Sequence, residues 1–489
     1  MGLEQLSPIL QRLPEVKAPL VQPTLNQRLF FTAAVLVLFF MMYHVYPIGV
    51  VVSKDTHTEF LQIVMASKMG SLITTGIGPI VLASIFLQLF VGAKIIDLDL
   101  SQPKNKALFQ GAQKLLAIIL ALFEAYVYTN LMTIDPVFGD PWTRILVAVQ
   151  IALGSIFLLY FDEIISRYGI GSGIGLFIAA GVSLSVVSGF VGIITGYGGI
   201  PQSNTIVYNL AEGGANAIPS AIITLVPIIA TILVFAVSIY AENIKVEIPL
   251  AFERARGYGG RFPIKFLYTS NMPVILAFAF ISALQLFGRM IAGLTFDVGG
   301  VPFSEFIAVY DPTGRLSGGL FYLISPSFPN PIALAGGISV YINLILTSSN
   351  TWMVPFMGAV LVPEYIHALF YVISLVLLSI LFGYLWTETS GMTARDVAGQ
   401  LKNVGLSVPG FRRDPRMIEG ILSKYIPVIT ILGSAFVGLL AGMADLTGAL
   451  GTGTGILLTA GILHRMYEEM ESRQMFEMYP ALKNMMGAE

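Results

Sequence analysis

The chain has 489 residues, of which 55% are hydrophobic and only 11% charged, and its mean hydropathy is +0.78. A soluble domain carries roughly 25% charged residues, so a water-soluble enzyme is excluded for want of charge to cover its surface. The net charge of -2 gives no bulk attraction to a polyanion, and the absence of cysteine excludes disulfides, thiolate metal sites and cysteine nucleophiles.

Residues 1–20 have no continuous apolar core and carry Pro8, Pro14 and Pro19, which argues against a signal peptide. Leu3, Leu6, Ile9 or Leu10, Leu13 and Val16 recur at three- to four-residue spacing. That pattern suits a broken amphipathic surface helix, with a disordered tail as the alternative. Ten apolar runs follow, at 29–50, 71–92, 109–132, 142–161, 172–194, 218–240, 272–294, 363–386, 425–442 and 447–463. Each is long enough to cross about 30 Å of hydrocarbon as a helix, the last two near the lower limit. Between the first two, residues 57–69 form a thirteen-residue segment opened by the capping-box spacing Thr56-His57-Thr58-Glu59 and closed by Gly70. At about 20 Å it is too short to span. It reads as a half-helix folding into the membrane from outside, or as an external surface helix.

The basic residues fix the count. With ten spans, 22 of the 27 Lys and Arg fall on one side, including the loops 241–266 and 387–424 and both tails. The positive-inside rule then puts both termini in the cytoplasm. A further apolar run at 332–346 contains Gly336, Gly337 and Asn343. If it crossed, the six basic residues of the 387–424 loop would move outside. It therefore stays a re-entrant or surface piece of a large external loop, 295–362.

Two short matches join spans five apart. Pro79-Ile80-Val81-Leu82-Ala83 in the second corresponds to Pro273-Val274-Ile275-Leu276-Ala277 in the seventh. Gly171-Ser172-Gly173-Ile174-Gly175 opens the fifth, as Gly451-Thr452-Gly453-Thr454-Gly455 opens the tenth. Five is odd, so the halves, 1–200 and 201–489, run in opposite orientation. The fold class is an all-α polytopic membrane protein of ten transmembrane helices in two inverted halves, with a pathway expected between them.

Chemistry for catalysis is poor. No histidine pair has metal-ligand spacing, and Glu364-Tyr365-Ile366-His367 is a single Glu-x-x-His where a di-metal bundle needs two. Ser172 does not sit in Gly-x-Ser-x-Gly, and no phosphate loop occurs, so no enzyme, cofactor or metal site is expected and any energy source is external. Glu124 is the clearest ionisable residue deep in a span, which marks a pathway or an inter-helix contact.

Several ordered motifs then match a known family. These are Thr74-Thr75-Gly76-Ile77-Gly78-Pro79-Ile80-Val81, Tyr168-Gly169-Ile170-Gly171-Ser172-Gly173, Pro263-Ile264-Lys265, Tyr268-Thr269-Ser270-Asn271-Met272-Pro273 and Gly448-Ala449-Leu450-Gly451-Thr452-Gly453-Thr454-Gly455. From about Ile9 to the C-terminal tail, with the exception of the large loop 295–362, which is longer than usual, the chain resembles the SecY-type subunit of the protein-conducting channel, in its archaeal and eukaryotic branch. The resemblance implies an hourglass closed at the waist by an aliphatic ring: Ile77, Val81, Ile174, Ile178, Ile275 and Leu458. It places a re-entrant plug on 57–69, with His57, Phe60, Leu61, Ile63, Val64, Met65 and Met69. It implies a lateral gate between the second and third spans and the seventh and eighth, at Leu82, Glu124, Ala283 and Gln285. Arg254, Arg256, Arg412 and Arg413 would dock a ribosome or a cytosolic motor. The other implied partners are small subunits of the SecE/gamma and beta types, signal peptides and nascent chains, and the bilayer. The implied function is a passive pore for unfolded polypeptides, with sideways release of apolar segments into lipid. An inverted-repeat transporter of a small solute is the alternative.

Overall fold

The structure, a computed structural model, describes residues 7–10, 12–51, 62, 65–96, 98, 102–196, 205–212, 217–252, 259–291, 297–298, 301–311, 316–326, 328, 337–355, 358–404, 406–407 and 415–478. A helix stands at each of the ten expected positions. In the first half these are Leu25–His44, Gly78–Gly92, Pro103–Leu131, Trp142–Tyr168 and Gly173–Thr195. The second half has the broken pair Ala217–Thr224 and Val226–Asn243, then Met272–Ile291, Glu364–Thr389, Pro415–Leu446 and Gly453–Met478. They are numbered here as the first to tenth spans. Eight are long and apolar enough to cross a membrane by length and composition alone.

The second and tenth depart from that standard for different reasons. The tenth is apolar only as far as Leu463, then continues to Met478 as a charged helix through His464 and Arg465. The second is 15 residues long, because residues 71–77, expected to be helical, form turns instead. Gly76 is left-handed there (φ 54°), and a Cβ on it would lie 2.2 Å from the Met65 carbonyl oxygen. The Thr74 hydroxyl donates to the Ser71 carbonyl at 2.6 Å, competing with helical bonding, and Pro79 starts the helix in its first turn. In the sixth span Pro227 removes an amide donor, and the helix breaks at Leu225.

Other boundaries are also corrected. Of the amphipathic helix expected over 1–20, only Ser7–Leu10 is helical among the described residues. Residues 12–24 are irregular, as Pro14 and Pro19 dictate. Most of the 57–69 half-helix, including His57, Phe60, Leu61, Ile63 and Val64, lies outside the described residues. Gln62 is helical, but helical geometry ends before Met65 rather than at Gly70. Ala66 takes a left-handed conformation (φ 49°), and the Ser67 amide closes back onto the Gln62 carbonyl at 2.8 Å.

The halves are related as the sequence matches require. The second and seventh spans start at matched residues, Gly78 and Met272, each two residues after a left-handed one: Gly76 at 54° and Ser270 at 52°. The fifth and tenth start at Gly173 and Gly453, each two residues after a left-handed glycine: Gly171 at 73° and Gly451 at 69°. One contiguous apolar cluster draws buried side chains from all ten spans.

The loops carry structure that hydropathy does not reveal. In the loop 295–362, Gly337–Thr347 is an 11-residue helix, about 16 Å long and too short to cross. It is followed by a hairpin pairing Ser349–Val354 with Gly358–Pro363. The lone Glu-x-x-His anchors this loop to the eighth span. Glu364 accepts from the Tyr322 hydroxyl (2.6 Å) and Asn350 (2.9 Å), and lies 3.0 Å from Nδ1 of the buried His367, whose ring is stacked between Tyr322 and Phe328. Between the sixth and seventh spans, Lys245–Phe252 and Gly259–Lys265 form a hairpin to which Leu406–Ser407 adds a third strand. The two long basic loops are thereby joined. An unforeseen helix, Ala394–Val404, packs on the start of the ninth span through Ala398, Leu401, Ile418 and Leu422.

Candidate functional site

The six ring candidates come from four helices, and all four begin beside them. Ile77 immediately precedes the second-span helix and Val81 lies one turn in; Ile275 is in the first turn of the seventh. Ile174 and Ile178 occupy the first two turns of the fifth, and Leu458 the second turn of the tenth. Ile77, Val81, Ile178, Ile275 and Leu458 are buried in the common apolar cluster, and half-buried Ile174 packs against it. The fifth and tenth spans run antiparallel in close contact. A Cβ on Gly455 would touch Val182 at 2.9 Å, and one on Gly175 would touch Ile462 at 3.4 Å. Ile178 and Leu458 therefore sit at the middle of that crossing.

Polar bonds brace this apolar centre from outside. Asn271 Nδ2, at the start of the seventh span, donates to the carbonyls of Leu457 (3.4 Å) and Leu458 (3.3 Å) in the tenth. In the fourth span Ser155 Oγ donates to the Gly76 carbonyl at 3.1 Å and contacts the Thr75 hydroxyl. From the plug position, Met65 is buried in the same cluster and its carbonyl accepts from the Ile77 amide at 3.0 Å, while Met69 is half-buried.

The gate candidates divide. Leu82 and Ala283 are buried in the apolar cluster. Glu124 and Gln285 instead line a cavity of about 50 Å³ between the second, third and seventh spans. Among the polar residues that join them, unforeseen in the sequence, are Tyr128 on the third span and Ser282 and Arg289 on the seventh, with Gln62, Ser67, Thr74 and Thr75 from the segment before the second helix. Three- and four-residue spacing puts Tyr128 on one helix face with Glu124, and Ser282 and Arg289 on one face with Gln285, a signal that holds within each span but does not join the two. Met65 and Met69 also reach this cavity, and a Cβ on Gly78 would meet Glu124 Oε2 at 3.2 Å. Beside it, the Tyr310 hydroxyl of the 295–362 loop donates to the Gln285 carbonyl at 2.8 Å, and the Arg289 guanidinium lies over the Tyr310 ring at 5.5 Å. Burial pushes the Tyr310 hydroxyl up to about 12 against the opposing pull of Arg289, so it stays a neutral donor.

The docking arginines Arg254, Arg256, Arg412 and Arg413 lie outside the described residues. The strands flanking them are described, and pairing of Phe252 with Leu406 brings the two loops to one sheet edge. Among the described residues there is no group of three side chains able to hold a metal ion.

Residues 71–467 match the SecY family profile. The chain is 40% identical over 489 residues to the protein translocase subunit SecY of Methanocaldococcus jannaschii, covering 99% of this chain and all of that one. The chain belongs to the SecY family. Its fold is similar to the solved structure of a SecY protein described by a plug domain that stabilises the closed state of the translocation channel and maintains a membrane seal. That match has a TM-score of 0.74 at 39% identity, over 97% of this chain and 99% of that one. It is equally similar to Sec61 in the canine ribosome-channel complex from the endoplasmic reticulum, with a TM-score of 0.73 at 39% identity and the same coverage. Membership identifies a multi-pass translocase channel subunit, and the small-solute transporter considered as the alternative finds no support among these relatives.

Proposed function

We propose that this SecY-family chain is a passive pore for unfolded polypeptides, shut at rest by an aliphatic ring and opened sideways for apolar segments. The observation that carries the reading is the meeting of four helix starts, in two inverted pairs, at one apolar cluster that contains five of the six ring candidates and has the sixth, Ile174, packed against it. Ions would have to shed hydration to pass such a constriction, whereas an arriving peptide replaces the ring's contacts with its own. Burying one such side chain is worth roughly 1.5–3 kcal/mol, so several together hold the waist shut while no single one decides folding.

In this reading residues 57–69 plug the waist from outside, and Met65 and Met69 couple the plug to the gate cavity. The gate is polar on its external side, through Glu124 and Gln285, and apolar at Leu82 and Ala283. The halves divide near residue 200, both termini are cytoplasmic in the cell membrane, and the chain does no covalent chemistry. The joined basic loops present Arg254, Arg256, Arg412 and Arg413 to a ribosome or a cytosolic motor, a reading supported by the ribosome complex of the Sec61 relative. Small SecE/gamma-type and beta-type subunits complete the assembly.

The test is single-channel conductance in planar bilayers. Changing Ile77, Val81 and Ile275 together to Gly should leave folded protein that leaks ions at rest, and deleting residues 57–67 as well should enlarge the leak. A folded triple variant as ion-tight as the parent, with the plug also deleted, would place the constriction elsewhere.

A further inference from the structure

The fifth and tenth spans are capped alike, in a way that the second, which has no side-chain cap, does not share. Asp162, near the end of the fourth span, accepts the Ile174 amide at 3.0 Å through Oδ1, and the Gly173 amide also bonds to it. Asp445, at the end of the ninth, accepts the Thr454 amide at 2.8 Å through Oδ1 and the Thr454 hydroxyl at 2.6 Å through Oδ2. The Gly453 amide also bonds to Asp445, and the Tyr371 hydroxyl donates to it at 2.7 Å from the eighth span. Each cap is completed by a hydroxyl at matched positions: Ser172 accepts from Gly175 at 3.2 Å, and Thr452 from Gly455 at 3.0 Å. Glycines let the partner helices close in. A Cβ on Gly173 would lie 2.5 Å from Asp162 Cα, and one on Gly453 would lie 2.1 Å from the Ala444 carbonyl carbon.

We propose that Asp162 and Asp445 are positioning residues for the channel's seal, each fixing the height and rotation of the helix that carries Ile174 and Ile178, or Leu458, into the waist. The proposal rests on the aliphatic-ring reading above. A helix start leaves its first amides without partners, and within a membrane-embedded protein water is a poor substitute. A carboxylate aimed at those amides is a strong acceptor in a fixed place. Losing it frees the first turn, where Ile174 itself sits. A slip of one residue moves a side chain by about 1.5 Å along the axis and turns it by about 100°, enough to take Leu458 off the pore. The two carboxylates come from the spans preceding matched helices in inverted halves, so the same device acts on the waist from both faces.

The variants are Asp162→Ala and Asp445→Ala, each beside its Asn counterpart, which retains an oxygen for the amide. The readouts are hydrogen exchange at the amides of 173–175 and 453–455, and resting conductance in planar bilayers. The alanine variants should exchange there faster by on the order of fivefold, the effect of losing a helix cap, and should leak. The asparagine variants should approach the parent in both. Alanine variants that stay ion-tight, or asparagine variants as leaky as alanine, would overturn the proposal. The unmodified protein gives a check that needs no variant to fold: rapid exchange at the Ile174 and Thr454 amides would rule out the caps. Tight alanine caps beside a leaky ring triple variant would sink the caps alone. Leaky alanine caps beside a tight triple variant would sink the ring and leave the caps as anchors of the seal.

Discussion

At Gly154 the fourth span passes so close to the turn before the second helix that a Cβ would lie 1.9 Å from the Leu72 carbonyl oxygen. Its neighbour Ser155 bonds the same turn at Gly76, and that turn delivers Ile77. Backbone cannot step aside as a flexible side chain does. Gly154→Ala should therefore lower stability by about 1–3 kcal/mol through overpacking, although alanine is the better helix former. Gly399, with open space where its Cβ would go, supplies the contrast: Gly399→Ala should be neutral or stabilising by up to about 1 kcal/mol. Thermal unfolding in detergent reads both, and a Gly154→Ala protein with the parental midpoint would refute the close approach. At this scale legibility is uneven. The helix starts at Gly173 and Gly453 could be read from the sequence as glycine-rich matched motifs, whereas the ring candidates near them came from the family resemblance, since an aliphatic side chain alone reads as ordinary packing. The polar cavity could not. Arg289 reads alone as a basic residue at a span end, and its relation to Glu124 exists only once the third and seventh spans pack.

Among the elements, the ten helices were legible because a membrane span needs a long apolar run, and their ends were not. Hydropathy cannot distinguish residues 71–77, apolar and in turns, from residues 78–92, apolar and helical; the left-handed Gly76 makes that difference. It also missed the three-stranded sheet that joins the two basic loops. The strand at Leu406–Ser407 is two residues long, and its pairing with Lys245–Phe252 joins segments far apart in the chain. The pairing has a definite register, Ala251 opposite Ser407 and Phe252 opposite Leu406. Opposed residues of an antiparallel pair have Cα atoms roughly 4.5–5.5 Å apart, inside the range a disulfide bridges. With no native cysteine to interfere, Ala251→Cys with Ser407→Cys should cross-link under mild oxidation, as read by mass spectrometry of the joined peptides. Leu250→Cys with Ser407→Cys, one residue out of register, should not, since that shift turns the side chains to opposite faces. Equal cross-linking of both pairs would mean that the loops only meet by chance.

For the whole molecule, the inversion of one half against the other was legible from two five-residue matches, because left-handed residues and helix starts recur at matched positions. The structure of the 295–362 loop was not legible, since its anchor joins Tyr322, Asn350, Glu364 and His367 across 45 residues without hydropathic pattern. That anchor bears on topology. The helix Gly337–Thr347 leads into a hairpin whose last residue, Pro363, directly precedes the eighth span, so the helix and the start of that span lie on one side. The Glu364 amide donating to the Ser348 carbonyl at 3.0 Å holds them there. If the eighth span then crosses once, the helix Ala394–Val404 and its basic loop must be on the other side. Leu361 is exposed in the hairpin, and Gly399 has free space around it. Single cysteines at these two positions should therefore label from opposite faces with a membrane-impermeant maleimide: Leu361→Cys in vesicles with the outer face exposed, Gly399→Cys only in inverted ones. Labelling of both from one face would remove the eighth span as a single crossing. Labelling of each from the reverse face would keep ten spans but overturn the orientation that the 22 basic residues imply.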